Sequence, residues 1–302
     1  MDRTLAKRFA KLMEADGLNQ EEIEKALKGE SNFEPKALER HPTLDLFVCP
    51  SLIDISPKSD MASLEHPFFV LSGGTSREVL HYEHETRHGV QSVHITPSYY
   101  GLPTIRDKDL LIFAMSHLLK AANDGKRMSK TVRFGIYDFI VTTNRSKGKT
   151  YSELERMLSR LRGCSVRTSI RTGNVTDTHE FGMIDGWRTE KHDNSLKGQV
   201  EITLSDFLMR ALVHREVLTL TRDYFLISSN LKRRCYELAR KHLGKQKYWS
   251  ITLALLHKKS GSGTKSMSKF RQQVKEIAAD NDIPDYTMVY SRRKDKVVFL
   301  SR

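Results

Sequence analysis

Cysteine is scarce in this 302-residue chain: Cys49, Cys164 and Cys235 are the three, odd in number, far apart and without CxxC spacing. That excludes a disulfide framework or a zinc-finger lattice and reads as reduced thiols in a cytoplasm. Long apolar runs are missing as well. The longest mostly apolar stretches, such as Leu110 to Leu119 and Tyr224 to Ile227, fall far short of the roughly 20 residues of a membrane span. No apolar run or small-residue cleavage site follows Met1-Asp2-Arg3, so no secretory signal is expected. Hydrophobic residues make up 38% and charged residues 29%, which keeps the chain out of the disordered and collagen-like classes. A chain of this length accommodates roughly two domains.

What is abundant is positive charge, +13 in all, and its placement says more than its sum. Residues 124–172 carry 12 Lys/Arg against 4 Asp/Glu, and residues 221–302 carry 19 against 7. Residues 1–70 are net acidic, with 9 against 13, and so are residues 173–220, with 5 against 8. Two separate basic blocks suit a polyanion gripped at two surfaces, since each neutralised phosphate releases condensed counterions. A basic surface that only confers solubility is the plainer reading. Anionic lipid fits less well, because neither block carries a long helix with a continuous apolar face beside its basic one.

Hydrophobic spacing gives the order of elements. Leu5, Phe9, Leu12 and Met13 predict a short amphipathic helix over residues 3–16 stopped at Gly17, and Asn19 starts a second reaching about Lys28. Gly29 to Pro42 reads as a linker and Ser72 to Ser76 as a loop; Glu78 to Glu83 and Gly89 to Thr96 read as a hairpin. A stronger pattern then occurs twice. Helices are expected at about Asp107 to Asn123, Phe134 to Val141 and Thr150 to Arg162, followed by extended segments at Cys164–Thr172, Thr178–Glu190 and Gly198–Leu204, with turns at Gly173-Asn174 and Asp193-Asn194. The second copy has helices at Asn230–His242, Ser250–Lys258 and about Ser266–Asn281, then strands Tyr286–Ser291 and Val297–Ser301 around the turn Arg292–Lys296. Three short helices and a hairpin are the order of a winged helix. The expected fold is therefore α+β, mainly helical, with two tandem winged-helix domains: a helical or flexible region over 1–43, a first domain over 44–220 and a second over 221–302.

Each third helix offers a face to DNA. In the second copy Met267, Phe270, Val274 and Ile277 share the buried face, leaving Lys265, Ser266, Ser268, Lys269, Arg271, Gln272 and Lys275 at the start or on the open side. Arg and Lys reach phosphate or guanine, and Gln pairs with adenine. Arg292, Arg293, Lys294 and Lys296 in the wing form a second contact to backbone or minor groove. In the first copy Lys147, Lys149 and Thr150 stand at the helix start, where backbone N–H groups meet phosphates, with Arg156 and Arg160 further along. Glu153 and Glu155 dilute that surface, which is open to DNA or to a partner protein.

Catalytic patterns fail on inspection. Gly148-Lys149-Thr150 lacks the phosphate-loop glycine, with Thr143 in its place, and Thr264 stands where Gly261 to Ser266 would need a glycine before Lys265. His81, His84, His88 and His94 cluster around a hairpin without a Cys or carboxylate at a usual spacing and are expected to be plain hairpin histidines; no metal and no cofactor is expected. Tyr99-Tyr100 is similar to the nucleophile pair of nicking enzymes, but the His-apolar-His motif of those enzymes is missing. No catalytic triad or paired carboxylate stands out.

Several runs carry a family likeness: Asp45-Leu46-Phe47, Met61 to Phe69, Pro97 to Ile112, Arg222 to Phe225, Arg233 to His242 and Lys259 to Ser262. Through them the chain resembles the plasmid replication initiator protein A family of bacteria over about Leu44 to Ser301. The resemblance implies a non-enzymatic, cytoplasmic protein with tandem winged helices that binds repeated double-stranded DNA sites at an origin, helps melt A·T-rich duplex and recruits host helicase-loading proteins. It also implies a dimer that represses its own promoter and a monomer that initiates, with the first domain as dimerisation surface. Residues 1–43 match nothing in that pattern. A winged-helix repressor with no initiation role is the competing reading, and a relaxase using Tyr99 or Tyr100 is the enzymatic one.

Overall fold

Periodicity decides the helices. Thr252 and Ser266 accept hydrogen bonds from Leu255 N and Lys269 N at the starts of Leu253–Ser260 and Met267–Asp280, and the second helix buries Phe270, Val274 and Ile277 as their spacing predicts. A computed structural model describes residues 10–28, 56–72, 77–86, 89–125, 128–176, 180–190 and 198–302. The expected linker over Gly29 to Pro42, the run Asp45-Leu46-Phe47, Cys49, His88, most of the Ser72 to Ser76 loop and the turn Asp193-Asn194 lie outside those residues.

Two units share one connectivity. The first runs helix α3 (Lys108–Asn123), strand β4 (Thr131–Gly135), helices α4 (Ile136–Thr142) and α5 (Lys147–Gly163), then strands β6 (Ile184–Glu190) and β7 (Gln199–Leu204). Its sheet has the order β4-β7-β6. The second runs α7 (Asn230–Leu243), β9 (Tyr248–Thr252), α8 (Leu253–Ser260), α9 (Met267–Asp280), β10 (Tyr286–Ser291) and β11 (Lys296–Ser301), with sheet order β10-β11-β9. In both, the strand between the first two helices pairs antiparallel with the last strand.

Those inner strands correct the sequence reading, which began helices at Phe134 and Ser250. Val132 and Phe134 are buried on one side of β4 while Arg133 faces out, a period of two that stops at Gly135. In β9, Tyr248, Trp249 and Ile251 favour a pleated strand until Thr252 caps the helix.

Around the first unit lie smaller elements. The pair β1 (Lys58–Asp60) and β8 (Val217–Thr219) brackets helices α2 (Met61–Glu65) and α6 (Asp206–Val213). Strands β2 (Leu80–Thr86) and β3 (Gly89–Thr96) form the expected hairpin, and β5 (Ser165–Thr168) joins β3 rather than the wing-like strands. A 3-10 turn, Arg222–Leu226, leads into α7.

One hydrophobic core runs from Leu64, Ile112 and Leu158 to Tyr236, Leu253 and Phe299, through both units. Their boundary is ionic as well as apolar. Lys108 Nζ meets Glu237 Oε1 at 2.7 Å, Arg233 Nη1 meets Asp109 Oδ1 at 2.7 Å, and Arg234 Nη1 donates to the Ser63 and Leu64 carbonyls at 2.8 and 3.1 Å. The Tyr224 hydroxyl donates to Glu237 at 2.8 Å. Gly261, at φ +69, lies so close to the Phe69 carbonyl that a Cβ would stand 2.4 Å from its oxygen. Burial acts to raise the Glu65 carboxyl, but Lys259, His66, Lys241 and His242 outweigh it and hold it at about 2.

The segment before the first unit packs against the second. Residues 10–15 are helical and turn at Gly17, φ +85, and α1 (Gln20–Lys28) begins in a reciprocal cap, Asn19 Oδ1 accepting from Glu22 N and Glu22 Oε2 from Asn19 N. Met13, Leu18 and Ile23 are buried with Val298 and Leu300 of β11.

Candidate nucleic-acid interface

Helix α9 divides as the spacing predicts. Lys265, Ser268, Lys269 and Gln272 are exposed, and Ser266 is spent on the N-cap. Gln272 Nε2 donates to Glu276 Oε1 at 2.9 Å. Lys275 stands 5.6 Å over the Tyr290 ring, a cation held on the helix side of β10. Arg292, Arg293 and Lys294 are exposed in the β10–β11 turn.

Two more of the expected cations, Arg271 and Lys296, are paired with carboxylates. Arg271 makes a bidentate bridge to Asp295, Nε and Nη2 each donating at 3.0 Å, so it ties α9 to the turn instead of projecting freely. These hydrogen bonds hold the Asp295 carboxyl below its usual range and push the Arg271 guanidinium higher still. Lys296 pairs with Asp16, whose carbonyl also accepts from the Ser291 hydroxyl at 2.8 Å. The N-terminal segment thus braces the hairpin, and Gly17 sits against the Lys294 and Arg293 side chains.

In the first unit Lys149 and Arg156 are exposed on α5, and Lys147 lies 5.2 Å over the Tyr137 ring. Thr150 and Arg160 are corrected. Thr150 is buried with its hydroxyl donating to the Ser146 carbonyl at 2.7 Å, and Arg160 forms a fork on buried Asp107 at 2.7 and 2.8 Å. Both serve the fold of the unit. The basic count of residues 221–302 also overstates the surface, since Arg233, Arg234 and Lys259 are buried at the boundary.

A family model described as Replication initiator protein A matches residues 58–288. The chain belongs to that family. The match starts at β1 and ends in β10, so it takes in the first unit and the second as far as the start of its hairpin, and leaves out β11 and the bracing segment 10–28. A protein of Wigglesworthia glossinidia brevipalpis, described provisionally as a replication protein, is 35% identical over 263 residues, 85% of this chain and 94% of the relative. Among solved structures, domains 2 and 3 of RctB superpose with a TM-score of 0.58 at 11% identity, covering 80% of this chain and 98% of that one. That likeness is one of fold: an α+β chain in which two units follow one another.

Membership in the replication initiator protein A family gives the quoted runs a physical location. Arg106 to Asp109 and Arg233 to Glu237 meet at the boundary, and Lys259 and Gly261 pack on Glu65 and Phe69. Much of the resemblance is thus carried by residues that join the units, although Tyr99 and Tyr100 of the same runs face outward. Asp295, Asp16 and Tyr290 were missed. Asp295 was hidden inside a cationic turn, and its contrary charge four residues from Ser291 was the available signal.

Proposed function

We propose that this initiator family member binds repeated double-stranded DNA sites at a plasmid origin through two winged helices, α5 and α9 being the third helices that enter the grooves. The observation that carries the reading is the exposed row Lys265, Ser268, Lys269 and Gln272 beside the cationic turn Arg292-Arg293-Lys294, joined by the Arg271–Asp295 bridge. Such a surface offers cations for phosphates and an amide for a base edge. The connectivity shared by both units supports the winged-helix assignment, and the buried, ion-paired boundary between them supports a defined spacing of two half-contacts.

The chain acts on DNA without catalysis of its own, in the bacterial cytoplasm. It promotes melting of adjacent A·T-rich duplex and recruits host helicase-loading proteins. As a dimer it represses its own promoter, and as a monomer it initiates. Titration of the full chain against duplex flanking its own gene and against shuffled duplex, over a salt series with footprinting, tests this. Several evenly spaced protected repeats, with affinity falling steeply in salt, are expected. One palindromic operator and a plasmid that replicates without the gene would leave a repressor. Equal weak binding to both duplexes would remove the origin-binding reading.

A further inference from the structure

The hairpin β2–β3 brings together three side chains with no part in the proposed interface. Register pairs His81 with His94, and Glu83 follows two residues along β2, so strand alternation sets all three on one face. Tyr82, Val93 and Ile95 fill the opposite, buried face. His81 Nδ1 and His94 Nδ1 are 2.9 Å apart, and the Nε2 atom of each ring is 3.7 Å from Glu83 Oε1. One ligand atom from each residue lies within 4.8 Å of the other two. The carboxylate missing from the linear spacing of the histidines is Glu83, delivered by the pleat.

We propose that His81, Glu83 and His94 form a zinc site. An ion bonded to nitrogen and oxygen at about 2.0–2.2 Å holds two ligands roughly 3.3–3.6 Å apart at the tetrahedral angle. With one nitrogen from each ring, the three ligand atoms already lie within 4.8 Å of one another, so side-chain shifts of about an ångström close the set. Two imidazoles and one carboxylate suit zinc and disfavour magnesium or calcium, which take oxygen. Three protein ligands leave a fourth position to water, and the half-exposed face gives the ion a path in. Arg167 of β5 lies opposite His94, but its guanidinium is bonded to Glu180 at 2.8 Å, which offsets the cation that would oppose zinc. A bound ion would clip the two strands of the hairpin across their pleat. The inference stands apart from the DNA-binding reading.

The test is zinc titration of the full chain, stripped with a chelator and competed against a chromophoric chelator, with cobalt as a spectroscopic substitute. One ion per chain is expected. His81→Ala and His94→Ala should each weaken it by at least roughly tenfold and remove the cobalt d–d bands, whereas His84→Ala, on the other face of the same strand, should leave both unchanged. Circular dichroism checks that the variants keep the fold. No stoichiometric zinc, or equal zinc affinity in the chain lacking both His81 and His94, would overturn the site.

Discussion

Lys108 and Glu237 meet at 2.7 Å between two side chains that are each 1% exposed, one from the first helix of the first unit and one from the first helix of the second. The same carboxylate accepts from Arg234 Nη1 at 2.8 Å and from the Tyr224 hydroxyl. Burial acts against the charge of Glu237, and Lys108 and Arg234 overcome it, holding the carboxyl low. Removing one member of such a cluster strands the others. Glu237→Ala should cost about 3–5 kcal/mol, read as a lower denaturant midpoint for the whole chain. A loss under about 1 kcal/mol would mean that the units do not depend on this contact.

Acid should weaken the fold through the neighbouring histidines. Burial pushes His66 down to about 3 and His242 to about 4, from an ordinary 6.5. Both states are neutral above that ordinary value, so the stability is whole there. As pH falls below it, the unfolded chain takes protons that the folded chain refuses, and stability drops by up to about 1.4 kcal/mol per pH unit for each group. Glu65, held at about 2 against 4.5, adds a fall of the same sign further down. Melting temperatures between pH 7 and 5 check this, and His66→Phe, which keeps a ring against Tyr82, should flatten the slope.

The segment 10–28 should behave as part of the second unit. Ile23 is buried with Val298 and Leu300 on the outer side of the sheet. Ile23→Ala should cost about 2–5 kcal/mol of local stability and speed proteolysis between residues 10 and 28. Equal cleavage rates in the two proteins would show that the segment does not brace the hairpin.

How much of this was legible beforehand follows from the range of each cause. Phe270, Val274 and Ile277 announce α9 because helical burial repeats locally, and Tyr286 to Ser291 announces β10 for the same reason. The strands β4 and β9 were hidden because five residues of apolar and β-branched character also fit the start of a helix. Arg160 and Arg271 read as open cations because their partners, Asp107 and Asp295, lie 53 and 24 residues away. Glu83 and His94 were separated for the same reason, since only the hairpin register joins them.

Lys269 and Gln272 should divide the work of α9. Lys269→Ala should weaken every duplex alike and lower the salt slope by about 1, as a phosphate contact does. Gln272→Ala should cost about 1–3 kcal/mol at one base position and little on shuffled DNA, once the amide has left Glu276 for a base. Binding on a panel of single-base variants separates the two. Unchanged binding in both would move the interface off this helix.

Arg271 and Asp295 supply a test in which two explanations predict opposite signs. Asp295 is at φ +49 in the turn, accepts both hydrogen bonds from Arg271 and another from the Tyr290 hydroxyl, and offers its carbonyl to Leu253 N at 2.8 Å. It therefore joins α9, β10 and the start of α8. If Arg271 acts by holding the cationic turn in place, Asp295→Asn should weaken specific DNA binding roughly tenfold even though it deletes a negative charge beside the interface. Asn tolerates the left-handed backbone, so the loss would belong to the bridge. Arg271→Ala should cost a similar factor, and the double variant should cost little more than either, because each removes the same contact. If Arg271 instead grips a phosphate, freeing it from Asp295 should tighten binding and steepen the salt dependence. Tighter binding by the Asp295→Asn protein would return Arg271 to the direct contacts and leave the hairpin held by the Asp295 carbonyl on Leu253 N and by Asp16 with Lys296 and Ser291.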